Sequence, residues 1–347
     1  MIGDAIRKLV GGGDLSRDES REMFGMLMDG LASDAQKAAL LVALRMKGET
    51  VDEIVGAATA MRERVTPIDV DPAGLVDTCG TGGDGRGSFN VSTVSAIVAA
   101  GAGVRVAKHG NRAVSSSCGS ADVLAALGAD IDLDAKQSAR VLESAGVSFL
   151  FAPRMHPAMA AVSAVRRELG LRTIFNILGP LTNPAFAKRQ LLGVFSPKLV
   201  ETMALVLAEL GAEHALVVHG DDGMDEISVS AVTHAFEIKG GAVEARQITP
   251  ESLGLRRHGP AEVAGGDPAT NARIAREVLA GEGGARRDIV LANAGAAIYV
   301  GGIEPTLRDG VEAARDSIDS GRALETLEAL VAASKRETAP PEGRGPA

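Results

Sequence analysis

Two kinds of apolar spacing divide the chain near residue 66. Over 1–65 apolar positions recur at helical intervals, and polar caps punctuate them. Asp14-Leu15-Ser16 predicts a cap before a helix running through Leu31, and Ser33-Asp34 caps another through Lys47. Thr50-Val51-Asp52-Glu53 reads as a capping box opening a third, hydroxyl and carboxylate each satisfying a free backbone N–H. Nothing in this segment suggests chemistry; an all-helical appendage with apolar faces suits a lid, a hinge or a subunit contact. Pro67 and Pro72 then mark a linker.

From Leu75 the pattern alternates between short apolar runs and helix-like stretches, the signature of a mostly parallel sheet flanked by helices. Strands are predicted at 75–78, 104–107, 147–151, 191–195 and 215–218. Segments 234–238 and 243–248, joined across Gly240-Gly241, form a hairpin. Helices are predicted at 134–145, 157–169 and 197–210, with Gly179-Pro180 a breaker. Further helices follow at 268–279, 287–299, 307–320 and 323–335. The tail from Arg336, with its Pro, Gly and charges, reads as disordered. No solenoid repeat is visible. The fold class is α/β, with a smaller all-α N-terminal domain.

The stretch 75–122 stands apart. Each of its two apolar runs enters a loop of small residues that opens onto a helix-like segment. The first loop is Gly80-Thr81-Gly82-Gly83-Asp84-Gly85, with a helix from near Asn90-Val91-Ser92-Thr93. The second runs from Lys108 to Gly119, with a helix from near Ser120-Ala121-Asp122. Glycines let backbone N–H groups approach an anion, and helix N-termini add unpaired N–H groups. A lone glycine turn is often only a turn, and Ser120 alone is as readily a simple cap. Two such loops in tandem, with Lys108 and Arg112 between them, suit a diphosphate. The glycine run is not closed by Gly-Lys-Ser/Thr, so it is no P-loop, and it lacks the dinucleotide fingerprint.

Composition narrows the field. A chain of 347 residues accommodates two domains, or one large α/β domain with an appendage. A net charge of −9 argues against a general nucleic-acid or anionic-membrane binder. Any phosphate must then be held by local geometry. No apolar run approaches the roughly 20 residues of a membrane span, and the first residues lack a signal-peptide pattern. A cytoplasmic location is expected. Cys79 and Cys118 suggest neither a disulfide framework nor a metal knuckle; both read as small packing residues rather than catalytic thiols.

Seven motifs resemble the anthranilate phosphoribosyltransferase family of tryptophan biosynthesis. They are GTGGD at 80–84, FNVST at 89–93, KHGNR at 108–112, GSADVL at 119–124, MHPAM at 155–159, VRRELGLRTIFNILGPLTNP at 165–184 and DEIS at 225–228. The resemblance covers nearly all of the chain except the tail. It implies a small α-helical domain over 1–66, joined by helices from about 156–178, beside a large α/β domain over 73–335. Residues 336–347 remain as a tail. It also implies substrates at the hinge and a homodimer through the helical domain.

The implied reaction moves a 5-phosphoribosyl group from phosphoribosyl diphosphate to the amine of anthranilate, releasing diphosphate. The donor site maps onto Gly80, Gly83, Asp84, Ser88, Asn90, Val91, Ser92, Thr93 and Ser120. It also takes Lys108, His109, Gly110, Asn111, Arg112, Ala113, Val114, Ser115 and Ser116, with Lys108 a cation for the donor phosphates. Diphosphates travel with Mg²⁺, a hard ion that prefers oxygen ligands. By charge alone Asp225-Glu226 is an acidic solvent loop; the resemblance makes the pair Mg²⁺ ligands and Ser92 a ligand of a second ion, two per subunit. Asp221 and Asp222 are left as surface charges. For anthranilate the resemblance supplies Arg166, whose guanidinium suits a carboxylate, with Gly80, Asn111 and His156. Arg167 should face elsewhere and make structural ion pairs. His109 and His156 line the acceptor path, and either is a candidate to accept a proton after attack. With no obvious dyad, Lys108, His109 and Arg166 are the electrostatic and positioning candidates.

Five positions depart from the pattern: Ser88 for Thr, Ser117-Cys118 for Lys-Ser, Ala164 for Pro and Met224 for Leu. Two rival readings use the same scaffold, a pyrimidine-nucleoside phosphorylase and a non-catalytic nucleic-acid-binding paralogue. KHGNR and the Arg166 segment disfavour the first, and intact motifs on an acidic chain the second.

Overall fold

The computed structural model describes residues 2–113 and 117–338. Val114, Ser115 and Ser116 lie outside the described residues, as do 339–347 of the tail.

Seven strands form one sheet: β1 (Val76–Gly80), β2 (Val106–Gly110), β3 (Val147–Phe151), β4 (Arg189–Gly193), β5 (His214–Gly220), β6 (Thr233–Lys239) and β7 (Ala242–Ile248). Their order is β3-β2-β1-β4-β5-β6-β7. The first five are parallel, and β6 and β7 close one edge as an antiparallel hairpin. Side chains alternate between faces: Leu191, Leu216 and Val218 enter one core, Leu192, Ala215 and Val217 the other. A sheet covered on both faces explains the continuous apolar runs.

Strand ends differ from the hydropathy reading. β1 and β2 run on to Gly80 and Gly110, because Gly80 pairs with Gly193 and Gly110 with Phe151. Lys108 and His109, expected in a loop, are therefore strand residues. β4 occupies 189–193 rather than 191–195, since its register is fixed by Val76 opposite Arg189. Backbone pairing, not hydropathy, sets these ends.

At the N-terminus, helices Arg17–Met28, Asp34–Lys47 and Val51–Arg62 follow Ser16, Ser33 and Thr50, each with a complete capping box. The first stops at Met28 rather than Leu31, because Gly30 turns with positive φ just beyond it. Glu53 does more than close its box: its buried carboxylate takes the Leu15 amide at 2.9 Å and the Lys47 ammonium at 2.9 Å. Helix Ala160–Leu169 packs against the first two of these helices. Pro157–Met159, expected as its first turn, is a separate 3₁₀ turn. The 63–75 linker is tied down through Thr66 N–H to Met155 O (2.8 Å) and Ile68 N–H to Pro184 O (3.1 Å).

On the other face, the almost wholly buried helix Ala285–Gly301 packs against helix Val91–Gly101 and beneath β1, β4 and β5. The last helix, Arg322–Thr338, carries residues 336–338, which composition alone assigns to a disordered tail.

Candidate active site

Four neighbouring parallel strands, β2, β1, β4 and β5, all end in glycine: Gly110, Gly80, Gly193 and Gly220. Their carboxyl ends form the edge where α/β sheets place ligands. The backbone is bare there because other chain segments lie against it. A Cβ on Gly80 would stand 2.7 Å from Asp225 Oδ2, and one on Gly193 would land on the Asp225 carbonyl. A Cβ on Gly110 would overlap the Ser120 hydroxyl and the Phe149 ring.

One side of this edge is acidic around a buried lysine. Lys108 Nζ donates to the Thr78 carbonyl and, at 3.2 Å, to Ser92 Oγ. Burial lowers its pKa, against the pull of Asp77, Cys79, Glu226 and Asp225. Asp225 Oδ2 accepts the Gly82 amide at 2.9 Å, and Glu226 Oε1 the Ser92 amide at 3.1 Å. Burial, reinforced by Asp84, pushes Asp225 up to about 7, and burial beside Asp225 raises Glu226 well above its ordinary range. Asp84 Oδ2 is buried with no hydrogen-bond partner, and so is the Thr93 hydroxyl. Three carboxyl groups and one ammonium leave this corner short of positive charge, which a divalent cation would supply. Among the described residues no three His, Cys, Asp or Glu side chains form a complete metal cage. A cation held by Asp225 and Glu226, and a second one at Ser92, would need further oxygens, which suits Mg²⁺ with its waters and a phosphate ligand.

The remaining loop residues divide. Asn90 precedes its helix but makes no side-chain cap; Nδ2 donates to Cys118 O (3.1 Å), and Oδ1 accepts from Asn271 (2.9 Å). The second helix is preceded by Gly119, not capped by Ser120, whose hydroxyl instead donates to Asn111 O at 3.2 Å. Asp122 Oδ2 takes the Gly119 and Ala113 amides, both at 2.9 Å, while Oδ1 takes Arg112 at 3.0 Å. Arg112, expected among the donor-binding residues, is paired with Asp122. Asn111 is exposed, and its Oδ1 accepts the Arg112 amide. Ser88 bridges to Ala264 and, with Arg86 and Asp222, lines a cavity of about 240 Å³. Asp222 is no free surface charge: it accepts from Ser228 Oγ at 2.6 Å. Asp221 accepts from His234 at 2.8 Å. Val91 lies buried at the helix start. Val114, Ser115 and Ser116 lie outside the described residues.

The other side is less charged. His109 and His156 are both buried, their Nε2 atoms 3.2 Å apart. His109 Nδ1 lies 3.1 Å from the Gly179 carbonyl; a carbonyl only accepts, so the ring proton is on Nδ1. Burial lowers His109 to about 3 and His156 to about 4. Arg166 is half-buried, its guanidinium 5.2 Å from the centre of the Phe175 ring, and burial lowers its pKa. Arg167 is exposed and, contrary to expectation, makes no ion pair among the described residues. Cys79 accepts a hydrogen bond from Gln190 Nε2 at 3.0 Å, and burial raises its thiol pKa well above the ordinary value. It is an inert packing group.

Three supports were missed from the sequence. Asp77, fully buried on β1, takes the His109 amide at 3.1 Å and leaves Oδ2 unpartnered; burial raises it to about 6. Arg62 ends a helix of the N-terminal bundle and gives its guanidinium to the carbonyls of Leu181 (2.7 Å) and Leu210 (3.2 Å). Arg172 donates to the Gly83 carbonyl while stacking 4.4 Å over Phe195. Arg62 closes a helical pattern and Asp77 interrupts an apolar run, the only signals the sequence offers. A larger surface cavity, about 460 Å³ among Arg21, Asp29, Glu63 and Arg64, has none of the loop residues.

Comparisons with known proteins bear on the family and the fold. The glycosyl transferase family α/β-domain model matches residues 72–324, and the helical-bundle-domain model of the same family matches 3–65. The chain is 58% identical to the anthranilate phosphoribosyltransferase of Anaeromyxobacter dehalogenans strain 2CP-C, over 96% of this chain and 99% of that one. It is 55% identical to that of Rubrobacter xylanophilus, over 97% and 98%. The crystal structure of the Thermus thermophilus anthranilate phosphoribosyltransferase superposes with a TM-score of 0.89, at 46% identity over 96% and 99% of the two chains. The Saccharomyces cerevisiae anthranilate phosphoribosyltransferase in complex with PRPP and Mg gives 0.89, at 30% identity over 96% and 98%. The same yeast enzyme in complex with 4-fluoroanthranilate gives 0.86, at 28% identity over 96% and 98%. On sequence, fold and the arrangement of the loops together, the chain belongs to the anthranilate phosphoribosyltransferase family.

Proposed function

We propose how residues of this chain share out the family's reaction, transfer of the 5-phosphoribosyl group from phosphoribosyl diphosphate to the amine of anthranilate. The observation that carries the proposal is the polarity of the site. Four bare glycine strand ends, a buried lysine and a surplus of carboxyl groups line one side, while an imidazole pair and a guanidinium line the other.

The donor lies along 80–93 and 108–120, its diphosphate against Lys108, the Gly80–Gly83 amides and the start of the 91–101 helix. Asp225, Glu226 and Ser92 hold Mg²⁺, two ions per subunit. Bound Mg²⁺ supplies positive charge against the diphosphate oxygens. As the anomeric C–O bond stretches, negative charge gathers on the leaving group, and groups fixed beforehand around it stabilise that state more than the ground state. Anthranilate sits opposite, its carboxylate on Arg166 and its ring near Gly80, Asn111 and His156. An aryl amine is neutral near pH 7, so what it needs is alignment with the anomeric carbon.

The division into a helical domain over 1–66, with helices from 156–178, and an α/β domain over 73–335 belongs to the same reading. Contacts between the 160–169 helix and the first helices support it. A homodimer through the helical domain is part of it too, supported by Val10, Leu31 and Met46, which expose 74%, 68% and 82% of their surface there. A cytoplasmic location goes with the reaction.

The test is loss of anthranilate fluorescence on mixing the protein with phosphoribosyl diphosphate and Mg²⁺. A steady signal at high protein concentration overturns the assignment.

A further inference from the structure

Arg166, assigned above to the acceptor, belongs to a segment that folds back on itself. Its carbonyl accepts the Gly170 amide at 3.4 Å, and Gly170 ends the helix Ala160–Leu169 with a positive φ. Its guanidinium lies over the Phe175 ring. Phe175 meets Phe24 of the N-terminal bundle edge to face, ring centres 5.6 Å apart. The Thr173 amide donates to Asn176 Oδ1 at 2.9 Å. Residues 166–176 thus form one small body seated on the bundle, with Arg172 exposed on it.

From that body Arg172 reaches the first glycine loop by two routes. Its guanidinium donates to the Gly83 carbonyl and stacks 4.4 Å from the centre of the Phe195 ring. Phe195 gives its own amide to Thr81 Oγ1 at 3.0 Å, so the contacts close a circuit around Thr81-Gly82-Gly83. Gly82 and Gly83 both take positive φ and have no side chain to hold the turn. The sheet side holds the first two residues, through Thr81 N–H to Gly193 O (2.9 Å) and Gly82 N–H to Asp225 Oδ2 (2.9 Å). Gly83 is held from the segment that carries Arg166. In a trans peptide the carbonyl and the following N–H point opposite ways, so gripping the Gly83 carbonyl also sets the direction of the Asp84 amide.

We propose that Arg172 is a positioning residue for the transfer: it fixes the donor loop relative to Arg166 and so sets the approach of the amine to the anomeric carbon. The proposal rests on the transferase reading above. The donor binds through the glycine loops and anthranilate through Arg166, and Arg172 touches neither. A misplacement of about 1 Å between two bound reactants costs on the order of a hundredfold in rate. A hydrogen bond lost outside both sites leaves each dissociation constant nearly intact. The mark of Arg172 is therefore a slow chemical step with binding preserved.

The test uses Arg172→Met, which keeps the stem and removes the guanidinium. Single-turnover loss of anthranilate fluorescence is followed with enzyme in excess, at saturating phosphoribosyl diphosphate and Mg²⁺. Rates are divided by the number of anthranilate-binding sites, so that misfolded protein is not counted. Binding of anthranilate alone is titrated by fluorescence, and that of Mg²⁺-diphosphate by calorimetry. The single-turnover rate should fall by about tenfold or more, with both dissociation constants within about threefold of wild type. Phe195→Leu should lose severalfold in the same way. The double variant should stay within about twofold of Arg172→Met, because both substitutions open one clamp. A rate for Arg172→Met within about twofold of wild type, or additive losses in the double variant, would overturn the proposal. So would binding of either ligand weakened about tenfold or more, which makes Arg172 a direct contact of that ligand. If wild-type protein consumes no anthranilate, the transferase reading fails and this proposal with it. A wild-type enzyme that transfers while the variants keep pace sinks the proposal alone.

Discussion

The main-chain amide of Ser92 donates to Oε1 of Glu226 at 3.1 Å, joining residues 134 apart in sequence. The bond ties the first turn of the helix behind the glycine loop to the segment after β5. Helix N-termini carry unpaired N–H groups that attract anions. Here an internal carboxyl takes one of them, and burial keeps that carboxyl's proton affinity high. The donor side is therefore charge-balanced by its own side chains only in part.

Removing those charges should act on donor use. Asp225→Asn combined with Glu226→Gln, and separately Lys108→Ala, are expected to cut kcat/KM for phosphoribosyl diphosphate by about ten- to a hundredfold. That corresponds to roughly 1.5–3 kcal/mol for a hydrogen bond to a charged group. The carboxyl variant should also need more Mg²⁺, while the anthranilate KM stays within about threefold. Initial rates over a grid of donor and Mg²⁺ concentrations check this.

Arg166→Ala should raise the anthranilate KM by about tenfold or more and leave the donor KM unchanged. Arg167→Ala, on the exposed face next door, should change neither beyond about twofold. Unchanged acceptor kinetics in Arg166→Ala would remove Arg166 from the acceptor site.

Stability should respond to pH in two opposed ways. Asp77 is raised from 3.8 to about 6 in the folded chain, so its contribution is full below pH 3.8 and is lost as pH rises through 6. The loss amounts to roughly 3 kcal/mol. His109 and His156 are lowered from 6.5 to about 3 and about 4, so theirs is full above pH 6.5 and is lost as pH falls toward 4. Melting temperatures from about pH 4 to 8 should show Asp77→Asn gaining on wild type as pH rises. His109→Asn should lose less than wild type as pH falls.

Gly193→Ala is expected to be far worse than its one methyl group suggests. The new carbon would collide with the Asp225 carbonyl, so β4 or the Asp225 segment must shift. Overpacking costs typically 1–3 kcal/mol, and a displaced Asp225 should take donor binding with it. A thermal melt together with the donor KM reads both. Gly281→Ala, where positive φ is the only obstacle, should lower stability and spare the donor KM.

Local chemistry explains what the sequence revealed. Ser16, Ser33 and Thr50 were legible as caps because each box closes within four residues. The parallel sheet was legible from its alternation with helices. The strand ends were not, because Gly80 and Gly110 extend their strands through partners far along the chain. Lys108 and Arg112 looked alike in sequence, yet one is buried on a strand and the other paired with Asp122, a difference only the fold decides. Arg62 was visible only as the close of a helical pattern; its role was not, since its carbonyl partners lie 119 and 148 residues away.

The bare glycine edge also bears on redesign. Where four adjoining strands finish without a β-carbon, no side chain at those positions is available to be exchanged for a new preference. Any engineered or evolved change of acceptor must be written into the surrounding loops and the 152–182 segment. The floor of the cleft stays constant while its walls vary.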